Sequence, residues 1–429
     1  MKIPDLNAPC MEDRLAAASA LAGGIPPAPV GTERVNNHIH TIYSFSPYSP
    51  AKAAYMARLN GLATAGIMDH DSIAGAAEFI AAGRAVGIAV TVGLECRVSM
   101  EGTPFEGLRL NNPDQKSVAY AALHGVPHGK IDFVQNFFAP YREKRAVRNR
   151  NMTGRLNSMF ARFGIRLDYD ADIAPISQAA AGGSVTERHI LFALAGKLVG
   201  TIGRGEPLLD FLENDMGVHV AGDARVKMLD SGDPMYEYRL LGILKGRFTE
   251  YFYVDATDEL PRVGDFVRFA DEVGAIPAYA YLGDVRNSVT GDKKDQAFED
   301  PYLDELVEWL SGNGFRAVTF MPTRNSFSQL DRVMVLCERF GLFQISGEDI
   351  NSPFQPFICE ALADPRFSHL VTAAWALIGH ERAATDDAGG GMFSEKSIRD
   401  MPDLLDRIAR YAAIGRASRK IRDIGGKLI

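Results

Sequence analysis

The feature that most constrains this chain is a rhythm of short apolar runs alternating with amphipathic runs of helical length. "VNNHIH" (35–40) reads as a strand. "SPAKAAYMARLNGL" (49–62) reads as a helix, with Ser49 as N-cap and Pro50 at the first helical position. Then follow "ATAGIMD" (63–69, strand), "SIAGAAEFIAAGRAVG" (72–87, helix) and "IAVTVGLE" (88–95, strand). Strand, helix, strand at this spacing predicts right-handed βαβ units and a parallel sheet. The rhythm returns late: "GAIPAYAYLGD", "FRAVTFMP" and "LFQISGEDIN" read as strands, separated by the helices "PYLDELVEWLSGNG" and "SFSQLDRVMVLCERFG".

Between residues 130 and 250 the rhythm is lost. "FFAPYREKRAVRNRNMTGRLNSMFARFGI" is helical and basic, and "SVTERHILFALAGKLVG" opens with a capping-box pattern and continues as an amphipathic helix. The division expected is an N-terminal helix and linker (1–34), a barrel (35–129 and 251–385), a helical insertion (130–250) and a C-terminal helical segment (386–429). The basic run "REKRAVRNRN" reads first as a solvated helical face, and second as a rim that attracts phosphate.

Composition narrows the class. A net charge of −8 argues against a broadly basic nucleic-acid surface. Four cysteines without a CxxC pair argue against a disulfide framework and a cysteine zinc finger, and predict a reducing, cytoplasmic compartment. No apolar run reaches the ~18 residues of a membrane helix, and the N-terminus lacks a secretory apolar core. The expectation is a cytoplasmic protein with no membrane partner.

Polar ionisable residues recur where apolar strands run out, which is where parallel α/β folds place ligands. His38 and His40 end the first strand, and residues two apart in a strand point to one side, so both imidazoles can reach one ion. Asp69 and His70 end the second strand, Glu95 the third and Asp349 the last. Singly these have plain readings: coincidence, a helix cap, a buried ion pair. Jointly, His, Glu and Asp form a ligand set that suits Zn²⁺, Mn²⁺ or Fe²⁺. A carboxylate such as Glu95 can bridge two ions about 3.5–4 Å apart, the arrangement that splits phosphate esters.

The motifs "NNHIHTIYSFSPYSP", "GIMDHDSIAGAAEFIAAG" and "VGLE" resemble the opening motifs of the polymerase-and-histidinol-phosphatase (PHP) metal-dependent phosphoesterases, HxHTxxS, TDHDxxxG and GxE. "GAIPAYAYLGD" stands where that family has a strand ending in Ala-His-Pro, and "ISGEDIN" where it has Gly-Ser-Asp-x-His. "ERHI" resembles the Arg-Pro-His-Ile helix start of the family's phosphoesterase branch. The resemblance covers residues 35–95 and 274–355, and implies a distorted (β/α)7 barrel with a helical insertion.

By the same resemblance, His38, His40, Glu95 and Asp349 would hold one metal, with Glu95 bridging to a second. His124 would serve the second, with His128 as its rival. Tyr281 replaces that metal's other histidine, leaving Asp284 or His189 as substitutes. Phe45 or a nearby serine, and Asn351, stand at ligand positions of a third metal, of which only His70 remains. The cofactor expected is therefore a divalent ion (Mn, Fe or Zn), one bound tightly and a second weakly.

Asp69 and His70 are the candidate catalytic pair: either would orient ligands, and His70 would protonate a leaving alkoxide. Arg188, His189 and Arg324 are the candidate substrate contacts. The activity expected is hydrolysis of a small phosphorylated metabolite or nucleotide, or of a short oligonucleotide. The alternatives are a catalytically weakened binder of metal or phosphometabolite, and an amidohydrolase-like C–N hydrolase, which would need a carboxylated lysine or equivalent on a middle strand.

Overall fold

A computed structural model describes residues 5–27, 33–284 and 297–420. The seven strands are β1 (Arg34–Ile39), β2 (Leu62–His70), β3 (Ala89–Ser99), β4 (Val118–His124), β5 (Ile276–Ala280), β6 (Ala317–Phe320) and β7 (Phe343–Ser346). They lie in sequence order in one sheet. β1, β2 and β3 pair parallel, and so do β5, β6 and β7. β4 runs antiparallel to both its neighbours, so the sheet is not uniformly parallel as the βαβ rhythm predicts.

The sheet curls into a nearly closed barrel, as expected. Its seam is not a full ladder. Among the described residues it has one backbone bridge, Ile39 with Ile350, where His40 N–H donates to Ile350 O at 2.9 Å and Ile350 N–H to His38 O at 3.1 Å. Two asparagine side chains complete it: Asn37 Nδ2 donates to Ser346 O at 2.8 Å and Asn36 Nδ2 to Glu348 O at 3.1 Å. An amide side chain carries a donor and an acceptor like the backbone, so "NN" stitches a gap that a strand pair would otherwise fill.

Helix α1 (Met11–Ala22) precedes the barrel, and α2 (Pro50–Leu59) and α3 (Ala76–Val86) link its first three strands. Ser49 caps α2 by accepting from Lys52 N–H. After β4 come α4 (Ile131–Phe160), α5 (Glu187–Ile202), α6 (Glu206–Asp210), α7 (Gly222–Leu229) and α8 (Tyr236–Phe252). These helices bury a core of their own, with Met152, Leu156, Ile190, Leu194, Leu240 and Leu244 at its centre. α9 (Val263–Val273), α10 (Leu303–Gly312) and α11 (Phe327–Phe340) lead into β5, β6 and β7.

α12 (Ser368–Asp386), α13 (Glu395–Asp400) and α14 (Leu404–Lys420) close the described chain. Trp375 and Leu377 of α12 share a core with Met68, Ala122 and Ala278 of the barrel. Glu381 of α12 accepts from Val92 N–H near the start of β3. α12 therefore covers the N-terminal end of the barrel and leaves the other end for chemistry; α14 packs on α12. Among the described residues no helix is long and apolar enough to cross a membrane.

Candidate metal centre

The C-terminal ends of β1, β2 and β3 bring three imidazoles around one carboxylate. Glu95 Oε1 lies 3.0 Å from His70 Nδ1 and 3.3 Å from His40 Nε2, and Oε2 lies 3.6 Å from His38 Nε2. His40 Nε2 also stands 3.1 Å from Asp349 Oδ1. Asp349 falls in the loop beyond β7, three residues past Ser346, so the last strand is shorter than the sequence predicts. Ligand atoms of His38, His40 and Glu95 all lie within 4.8 Å of one another, compact enough for one ion.

The surroundings orient this set. His40 Nδ1 lies 3.1 Å from Ser44 Oγ, which donates in turn to Asp69 Oδ1 at 2.6 Å. Asp69 also accepts from Thr41 N–H at 2.7 Å and Thr41 Oγ1 at 2.6 Å. With Nδ1 engaged, Nε2 of His40 faces Glu95 and Asp349, and this is how proteins fix a ligating imidazole. That nitrogen is buried and makes no well-aligned hydrogen bond. A buried polar atom without a partner is costly, and an ion held by His38, His40, Glu95 and Asp349 would satisfy it. The donor set thus fits a divalent ion.

Charge follows the same geometry. Burial works against a charged His40, but Asp349 and Glu95 outweigh it and raise the imidazole to about 10. Burial would raise Glu95, yet His70 and His38 hold it well below the usual carboxylate range. Asp349 is lowered likewise, against burial, by His40, His38 and Arg188. Burial pushes His70 down to about 4, so its ring is neutral at pH 7. Asp69 is raised by burial.

The other sequence candidates are placed as follows. His124, also inward on β4, has a buried Nε2 without a partner, and burial and His38 lower it to about 3. His128 pairs with Glu381 at 2.9 Å, at the opposite end of the barrel. His189 turns its Nδ1 to Thr186 N–H at 2.9 Å as part of a capping box and packs edge-on against Phe45, 5.0 Å between centroids. Arg188 is half-buried at the start of α5, and among the described residues no hydrogen bond or ion pair engages its guanidinium. Arg324 Nε donates to Leu282 O at 3.1 Å and holds a loop after β5.

Tyr281 does not turn toward the cluster: its hydroxyl donates to Asp300 Oδ1 at 2.6 Å. Asp284 accepts from Phe298 N–H at 2.6 Å. Asn351 Nδ2 donates to Asp349 Oδ1 at 2.7 Å and so positions that carboxylate. The basic run of α4 is a solvated face only in part: Lys144 and Arg150 are exposed, but its other side is buried. Arg145 and Arg148 are buried, the former paired with Asp71 and the latter with Glu187 at 2.6 Å and Glu259 at 2.9 Å.

Sequence reasoning missed Tyr120, whose ring centroid lies 6.0 Å from that of His70. It also missed the roles of Thr41 and Ser44, although both belong to the quoted HxHTxxS stretch.

No family model matches the chain. A 5′-3′ exoribonuclease of Haemophilus influenzae is 27% identical over 158 residues, 37% of this chain. The match spans about half of that relative, 49% of its length. A solved structure from Bifidobacterium adolescentis, provisionally assigned as a metal-dependent phosphoesterase, superposes with a TM-score of 0.52 over 81% of this chain and 97% of its own. At 17% identity that similarity speaks for the fold. A Chromobacterium violaceum amidohydrolase solved with sulfate and no metal gives 0.48 at 17% identity, over 76% of this chain and 90% of its own.

Proposed function

We propose that this protein is a metal-dependent hydrolase of phosphate esters of the PHP type. The observation that carries the reading is the convergence of His38, His40 and Glu95 on one compact set of ligand atoms at the barrel mouth, with Asp349 Oδ1 3.1 Å from His40 Nε2. An ion there supplies Lewis acidity toward a water and a phosphate oxygen. The remaining work falls to the chain. Ser44 and Asp69 keep His40 in its ligating orientation. Asn351 keeps Asp349 turned to His40. Arg188, half-buried at the start of α5 and paired with no described residue, is the candidate cation for the substrate phosphate. His70, neutral beside Glu95, serves as a ligand or proton acceptor more readily than as the acid for a leaving alkoxide.

Phosphate-ester chemistry agrees with the exoribonuclease name of the Haemophilus influenzae relative. The substrate class stays with small phosphorylated metabolites, nucleotides or short oligonucleotides. The C–N hydrolase reading would have to use Glu95 of β3 as its bridging carboxylate, since none of the seven strands carries a lysine. The weakened-binder reading draws on Tyr281, whose hydroxyl is committed to Asp300 where the resemblance expects a ligand.

The test is elemental analysis after dialysis against Mn²⁺, Fe²⁺ or Zn²⁺, followed by a panel of phosphate mono- and diesters including a 5′-phosphorylated oligonucleotide. One tight equivalent of metal with turnover is expected. Metal binding without turnover on any ester would favour the binder, and no metal binding at all would overturn the proposal.

A further inference from the structure

Tyr120 stands beside His70 and has no task in the phosphoesterase reading. Ala122 of β4 lies opposite Glu95, and Tyr120 opposite Arg97, on the β3–β4 ladder. Strand side chains alternate, so residues 120 and 122 share the face that carries Glu95 and Arg97. Ala122 sets only a small side chain opposite Glu95, and the ring of Tyr120 two residues earlier lies against His70.

The backbone here is pinned. Asn111 Oδ1 accepts from Tyr120 N–H at 2.7 Å, and Asn111 Nδ2 donates to Tyr120 O at 2.9 Å. The side chain is partly exposed, and its hydroxyl hydrogen-bonds to none of the described residues. A partly exposed tyrosine hydroxyl with no partner among those residues is free to donate to a ligand. Arg97, opposite Tyr120 on the ladder, and Arg145 each keep a buried Nε–H without an acceptor. Donors without acceptors therefore lie near Tyr120, while the carboxylates of Glu95 and Asp349 lie with the imidazoles of the candidate ion site. Spare donors call for an anion.

We propose that the Tyr120 hydroxyl is a substrate-binding group that donates a hydrogen bond to a phosphate oxygen, on the side of the ion site away from Asp349 and Arg188. The inference rests on the phosphoesterase reading. A phenol is protonated at neutral pH and so offers that hydrogen without a change of charge. Burial raises Tyr120 further above its ordinary value.

The test compares parent and Tyr120→Phe, which keeps the ring against His70 and removes only the hydroxyl. Three quantities are measured on Mn²⁺-loaded protein: metal content, the dissociation constant of inorganic phosphate by calorimetry, and kcat and KM on the best ester of the panel. Metal content should be unchanged, and phosphate should bind about tenfold more weakly, as for one lost hydrogen bond to a charged acceptor. kcat/KM should fall by at least as much. Equal phosphate affinity and equal kcat/KM in the two proteins would overturn the proposal and leave Tyr120 as packing. Loss of metal in the variant would also overturn it, since Tyr120 would then act at the ion. If the metal-loaded parent itself neither binds phosphate nor turns over any ester, the phosphoesterase reading fails, and Tyr120 with it.

Discussion

Glu95 touches three imidazoles at once, and its charge, not its shape, is what the site needs from it. Glu95→Gln keeps the volume at a barrel mouth lined by polar groups, so the melting temperature should shift little. A neutral amide neither balances a dication nor holds His70 and His38 in register. Elemental analysis should show metal falling to a small fraction of the parent's, and ester hydrolysis should drop by about a hundredfold or more. Unchanged turnover would place the chemistry elsewhere. Glu299 carries a second expectation, far from the ion site in the sequence and in its contacts. It is fully buried, its Oε1 accepts from Leu282 N–H at 2.7 Å, and Oε2 has no partner among the described residues. Burial, against the hydrogen bonds it accepts, raises its carboxyl from 4.5 to about 7. Between those two pH values the folded protein keeps a proton that the unfolded chain has released. Stability contributed by this group is therefore lost as pH rises through that window, a cost on the order of 3 kcal/mol once complete. Glu299→Gln retains an oxygen for Leu282 and removes the titration. Urea unfolding at pH 5 and pH 8 should show the variant gaining on the parent at pH 8 relative to pH 5, by about 2–3 kcal/mol. An equal gap at both pH values would show that Glu299 does not ionise there.

At the scale of elements, α12 and α14 cross so closely that each uses a glycine for the other's backbone. A Cβ on Gly379 would lie 1.9 Å from Tyr411 O, and one on Gly415 2.1 Å from Trp375 O. No side-chain rotation relieves a clash with backbone. Gly379→Ala should push α14 away from the helix that covers the barrel floor, at about 2 kcal/mol or more, read as a lowered urea midpoint. A neutral outcome would mean that the crossing is looser than these distances. This crossing was not legible in "AWALIGHERAA" or "ARYAAIGRASR", because a glycine's reason lies in what approaches it. The alternating strands and helices were legible, since burial on one face writes a period into the residues. β4 was not: "VAYAALH" is short, and its reversed direction is decided by the long loop before it. The seam was equally hidden. Asn36 and Asn37 look like mere polar neighbours of the HxH pair until β7 is brought beside β1. Of the site, the residues at strand ends could be read from position. Tyr120 could not, because nothing in sequence marks which residues of an unrecognised strand face inward.

Across the whole molecule, the helical insertion and the barrel are joined by buried charge. Arg97 of β3 and Arg148 of α4 both pair with Glu259, in the connection leading to α9. Arg148 and Arg145 both pair with Glu187 at the start of α5, at 2.6 and 3.6 Å. Arg145 also holds Asp71, the residue after His70, so the network runs from the insertion to the edge of the ion site. Three cations and three carboxylates balance, which explains how a basic helix can be buried at all. Solvent cannot compensate for a lost partner here. Glu259→Gln leaves Arg97 and Arg148 facing a neutral amide in a dry place, and such a broken buried pair costs about 3–5 kcal/mol. The exposed pair Arg150–Asp170 belongs to the same helix but faces water, and its loss in Asp170→Asn should leave stability unchanged within error. Urea unfolding of the two variants beside the parent separates these cases. Limited proteolysis should further show Glu259→Gln cut first between residues 130 and 250, because the barrel keeps its own core when the helices loosen. Equal midpoints for Glu259→Gln and the parent would mean that apolar packing alone seats the insertion. A midpoint lowered without any change in the cleavage pattern would mean that barrel and insertion unfold as one unit.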